Sequence, residues 1–94
     1  MTLLENIYHH MHNNGLTDNR EHFSVKYLGK SKNWYAVQTH EHRDFSTNTA
    51  IACLKNIRFG LSDTRLNETQ KLALRTAEHL VLYFLQKKHA LLIN

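Results

Sequence analysis

Apolar side chains recur along this chain at three- and four-residue intervals, and glycines at 15, 29 and 60 punctuate the pattern. Leu3, Leu4, Ile7, Tyr8 and Met11 form one stripe, with Thr2 and Glu5 spaced as a capping box before it and Gly15 as a left-handed stop after it. Leu16-Thr17-Asp18 makes a short link whose Thr17 or Asp18 can cap a second helix over 19–28, carrying Phe23, Tyr27 and Leu28 and ending at Gly29. Ser31 is placed to cap a third helix over about 32–41. Phe45-Ser46 reads as an apolar residue and cap before a fourth, with Ala50, Ile51, Leu54 and Ile57 on its inner face, until Gly60 and Ser62-Asp63 break the chain. Asn67 and Gln70 open a last, long helix over about 67–92, carrying Ala73, Leu74, Ala77, Leu80, Val81, Phe84 and Leu85. With no proline and no repeat, the pattern predicts a single all-α domain over 1–94: compact, five-helical, with a long C-terminal helix.

The middle of the chain admits a second reading. Residues 23–28 and 34–39 are rich in β-branched and aromatic side chains, and 29–33 can turn a hairpin between them, which gives an α+β domain. Another pattern favours helices. Over Arg20 to Thr39 the twenty-residue helix-turn-helix unit asks for apolar residues at its fourth, eighth, fifteenth and eighteenth places, met by Phe23, Tyr27, Trp34 and Val37. It asks for a small fifth residue where the two helices cross, met by Ser24. The usual ninth-place glycine is displaced: Leu28 holds that place and Gly29 follows. The segment 23–35 resembles the helix-turn-helix of the lambda-repressor/Cro-like superfamily, as a variant with a one-residue longer turn, over about residues 17–58. The displaced glycine leaves two registers open, with either Trp34 or Tyr35 as the buried aromatic.

That resemblance implies a helix-turn-helix over about 19–41 whose second helix enters the major groove of double-stranded DNA. Lys30, Ser31, Lys32, Asn33, Tyr35 and Thr39 are then its exposed candidates, with Gln38 added in the alternative register. Lys32 suits guanine O6/N7 and Asn33 suits adenine N6/N7. Arg20, Lys26 and Arg43 flank the pair as phosphate contacts, which set affinity and salt dependence but not sequence choice. A small transcriptional regulator is the function implied. Lysines also sit outside for solvation alone, and a lone tryptophan such as Trp34 is more often a core filler than a stacking platform.

Charge agrees with an anionic partner without specifying one. The 94 residues carry 12 Lys+Arg against 8 Asp+Glu, net +4. Residues 20–43 hold five basic and two acidic side chains, the most positive stretch per residue. The longest apolar run, Leu80 to Leu85, is far below the ~18 residues of a membrane span. The start shows no basic n-region followed by an apolar stretch, and a single cysteine, Cys53, suits a reducing compartment, so a cytoplasmic protein is expected.

Other chemical signals are weak. Gly29-Lys30-Ser31 lacks the glycine five places earlier that a phosphate-binding loop needs. Asn67-Glu68-Thr69 is a glycosylation sequon, which has meaning only in a secreted chain. Eight histidines include the pairs His9/His12 and His40/His42, but no Cys-x-x-Cys or His-Glu-x-x-His accompanies them. They read as a polar surface. Cys53 reads as a buried inert thiol. No paired carboxylates or nucleophile triad stand out, so neither enzyme activity, metal nor cofactor is expected.

The last helix is apolar nearly all round between 80 and 85, more than one core stripe requires. A twofold homodimer through Leu80, Leu82, Tyr83 and Phe84 is the economical way to cover the surplus, and it suits a palindromic operator. The alternatives are a central helix buried on all sides, or a helical protein-interaction module in which residues 19–41 are only scaffold.

Overall fold

The computed structural model describes residues 1–89, and these fold into five helices: α1 Leu3–Asn13, α2 Arg20–Lys26, α3 Trp34–His40, α4 Thr47–Leu61 and α5 Glu68–Lys88. Among the described residues there is no strand, which removes the hairpin alternative. The last residues assigned above to the C-terminal helix, 90–92, lie outside the described residues.

The local signals explain most of these boundaries. Thr2 accepts from the Glu5 N–H while the Glu5 carboxylate accepts from the Thr2 N–H, so the capping box closes and buries Leu4, Ile7, Tyr8 and Met11 on one face. Gly15 sits at φ 72 and ends α1 in a Schellman turn, with Leu16 N–H donating to Met11 O at 2.9 Å. Ser46 caps α4, and Asn67 with Gln70 forms the capping box of α5. Two caps differ from the sequence reading. Asn19, not Thr17 or Asp18, accepts the His22 N–H at 2.8 Å to start α2. Thr17 is buried and bonds the His22 ring instead. Ser31 does not cap α3, which begins at Trp34 without a side-chain cap from Asn33.

Gly60 also differs. It lies inside α4, not after it, and a Cβ there would come within 3.3 Å of the buried Leu74 Cδ1. Its role is close packing of α4 against α5, which run as an antiparallel hairpin stapled by Arg58 and Glu78 at 2.8 Å. Packing reverses Ile51 as well, which is 44% exposed while Cys53 fills the core place beside it. Burial pushes the Cys53 thiol up to about 12, so it stays protonated and unreactive.

The core joins the two halves of the molecule. α1 lies against α5, where the His10 Nε2–H donates to Ala73 O at 3.0 Å. On its other side α1 meets α2 and α3 through three rings, Tyr8, Phe23 and Tyr35, with centroids 5.0–5.6 Å apart. Asp44, in the link after α3, bonds the N-terminus of α1: its two oxygens accept from Leu3 N–H (3.0 Å) and Leu4 N–H (2.8 Å).

The link after α3 also holds His42 at φ 57, with Arg43 N–H donating to Gln38 O and His42 N–H to Thr39 O, the Schellman pattern with a non-glycine residue in the left-handed place. A side chain there costs about 1 kcal/mol relative to glycine. His42→Gly is therefore expected to raise the melting temperature by roughly 4–8 °C, measurable by circular dichroism. An unchanged or lower value would mean the imidazole makes a compensating contact.

Candidate nucleic-acid interface

Two short helices, α2 and α3, are joined by the seven residues from Tyr27 to Asn33. Gly29 at φ 64 reverses the chain after α2, and Lys30 N–H donates back to Ser24 O at 2.9 Å. Asn56 of α4 donates its Nδ2–H to Tyr27 O at 3.1 Å, holding the end of α2 from behind. At the crossing Ser24 is fully buried, and its hydroxyl accepts the Tyr35 N–H at 3.1 Å. The small residue thus does two things: it lets the helices approach, and it supplies an acceptor for an N–H in the first turn of α3 that has no partner within the helix.

Tyr35 decides which side of α3 faces outward. It is 2% exposed and packs its ring on Tyr8 and Phe23, and burial raises its phenol to about 12, so it is neutral at any ordinary pH. As a candidate DNA contact Tyr35 is therefore corrected to a core residue. Val37, assigned to the core by the twenty-residue pattern, is instead 54% exposed. Both follow from one cause: the longer turn shifts α3 by one residue, so Tyr35 and Gln38 occupy the inward places laid out for Trp34 and Val37. Trp34 is half-buried and packs against the edge of the core, as its filler role anticipates.

The remaining candidates divide cleanly. Gln38 is half-buried and donates to Asp44 O at 3.0 Å, and Thr39 turns its hydroxyl back to Tyr35 O at 3.0 Å; both are engaged within the protein. Arg20, Lys26, Lys30, Ser31, Lys32, Asn33 and Arg43 are exposed. Aromatic rings steady three of the cations: Arg20 lies over Tyr8, Lys26 over Tyr27 and Lys30 over Trp34, at 5.3–5.9 Å. Arg43 pairs with Glu41 at 3.0 Å, an exposed contact worth well under 1 kcal/mol that a phosphate can displace.

Sequence reasoning missed three outward residues, Ala36, Val37 and His40. With Asn33 they stand at i, i+3, i+4 and i+7 and line an open depression on the solvent side of α3. Counting α3 from Tyr35 as the buried aromatic would have found them. From His22 to His40 the chain holds three lysines and no carboxylate, so nothing acidic on this segment opposes an anion.

A second cleft, about 370 Å³, opens between the ends of α1, α2 and α4, with Tyr27, Phe59 and Leu66 among its walls. Its charged pair is self-satisfied: Arg65 grips both oxygens of Asp63 at 3.0 Å and holds that carboxyl down to about 2. Among the described residues no group of three or more His, Cys, Asp or Glu could hold a metal ion, and no helix is long and apolar enough to cross a membrane.

On α5, Leu82 and Phe84 pack inward against the core, with Phe84 5.9 Å from the Phe45 ring, so they are corrected from partner-facing to core-facing. Leu80 and Tyr83 remain exposed, and Leu72 joins them at 64% exposure.

No curated protein and no solved structure matches the chain. The profile of a family of unknown function, DUF6626, matches residues 4–91, and the chain belongs to that family.

Proposed function

We propose that this protein binds double-stranded DNA and acts as a small cytoplasmic regulator of transcription, with α3 lying in the major groove as in the lambda-repressor/Cro-like proteins its sequence resembles. The observation that carries the reading is the polarity of α3. One side is locked to the core by Tyr35 and Ser24, and the opposite side is exposed, carries no carboxylate before the Glu41 cap, which pairs with Arg43, and is bordered by Lys30 and Lys32. Lys30 and Lys32 at this side, and the exposed Arg20, Lys26 and Arg43 elsewhere on the segment, supply phosphate contacts, and Asn33 reaches base edges. A homodimer, through the outward residues Leu72, Leu80 and Tyr83 of α5, would present two such helices to one duplex. The same exposed side chains favour a second reading, a protein-interaction module that does not touch DNA.

Gel retardation with random duplex DNA over a salt series separates the two. Five phosphate contacts would give a slope of about −4.5 in log affinity against log salt, and Lys32→Ala should make it shallower by about 1 if that lysine meets a phosphate. No retardation at low salt would eliminate DNA binding and leave the interaction module.

A further inference from the structure

The outward stripe of α3 has a feature that phosphate binding does not use. Asn33, Ala36, Val37 and His40 form one line along the helix, and its centre is apolar. A valine more than half exposed on a seven-residue helix stabilises little: its methyls stay wet, and β-branching disfavours the helix. Its surroundings suit an anion: Lys32 and the Asn33 amide stand at one end, no acidic side chain occurs from 22 to 40, and beyond the His40 imidazole the Glu41 carboxylate is paired with Arg43 at 3.0 Å. A ligand matching this stripe presents an apolar group among hydrogen-bonding edges on a negatively charged scaffold. In the major groove that group is the C5 methyl of thymine.

We infer that Ala36 and Val37 read thymine methyl groups, with Asn33 one turn earlier bonding a neighbouring adenine, so that the ligand of this face is B-form DNA carrying A·T pairs. This rests on the DNA-binding reading above and narrows it. The spacing is compatible: Asn33 and Val37 are about 6 Å apart along the helix axis, roughly two base-pair steps, and the whole stripe to His40 spans about 10 Å, or three. RNA fits poorly, because uracil lacks the methyl and the A-form major groove is too narrow to admit a helix.

The test uses the full-length protein and a duplex enriched by that protein from a random-sequence pool. Binding is measured by fluorescence anisotropy for the enriched duplex and for copies in which each thymine in turn is replaced by deoxyuridine. Loss of one buried methyl corresponds to about a fourfold weakening, so one or two positions should show that loss while the others stay within twofold. Val37→Ala should bind the thymine duplex more weakly, keep the salt dependence of the parent, and lose much of the thymine-over-uracil preference at one of the sensitive positions. Uracil duplexes that all bind within twofold of the parent, or a Val37→Ala protein that discriminates as strongly as the wild type, overturn the inference. Salt-sensitive retardation would then still leave DNA binding in place. Failure of the pool to enrich, with no retardation at low salt, removes the DNA reading and this inference together.

Discussion

Replacing Tyr35 with alanine is expected to cost about 3–5 kcal/mol. The ring touches Tyr8 of α1 and Phe23 of α2, so its loss opens a cavity where three helices meet. Besides this ring, α3 is held by the Ser24 and Gln38–Asp44 hydrogen bonds and the half-buried Trp34. It is seven residues long, its Asn33 cap makes no side-chain bond, and a helix of that length is not stable alone. Against a typical stability of about 5–15 kcal/mol the variant should melt roughly 15–30 °C lower, and at the low end it would not fold. Tyr35→Phe keeps all three helices in ring contact and should lose about 1 kcal/mol or less. Urea denaturation followed by circular dichroism compares the two. A Tyr35→Ala protein within 1 kcal/mol of the parent would mean that α3 is held by its ends and not by this ring.

Tyr35 also shows how far the sequence was legible. Helix existence was readable almost throughout, because caps and apolar stripes are local: Thr2 with Glu5, Ser46 and Asn67 with Gln70 each act within one turn. The face of α3 was not readable from periodicity. Trp34, Tyr35, Val37 and Gln38 fit the inward places in either of two registers, and what separates them is the length of the turn, set by Gly29 at φ 64 and the Lys30–Ser24 bond. Packing decides such cases through contacts distant in sequence. Leu82 and Phe84 belong to the same class: an apolar run at 80–85 states that the helix has apolar sides, but only the positions of Phe45 and the rest of the core state which side is covered. Gly60 fits a helix stop by residue type alone, whereas in the fold it makes room for Leu74.

Asp44 had no sequence signal at all, and its removal is the second large effect expected. Its carboxylate accepts from Leu3, Leu4 and Phe45 N–H groups at 2.8–3.0 Å, about forty residues away for the first two. The first turn of α1 leaves four N–H groups without helical partners; Thr2 takes that of Glu5, and Asp44 takes two more while placing a negative charge at the positive end of the helix. Asp44→Ala strips three charge-assisted bonds at a half-buried place, where water can replace part of each, so a loss of about 2–3 kcal/mol is expected. Asp44→Asn keeps one acceptor oxygen, able to serve Leu4 and Phe45 as Oδ1 does now, and should lose about half as much. Thr2→Ala, a local cap, should cost about 1 kcal/mol. Because Thr2 and Asp44 hold the same turn, the double substitution should cost less than the two single losses together, which a double-mutant cycle in urea reads directly. Strict additivity, or an Asp44→Ala loss below about 0.5 kcal/mol, would show that solvent satisfies this helix end and that the link from α3 is not anchored there. With the coupling present, the segment 41–46 joins the C-terminal end of α3 to the N-terminal end of α1. The helix carrying the outward stripe is then clamped at both ends, by Ser24 at one and through Asp44 at the other.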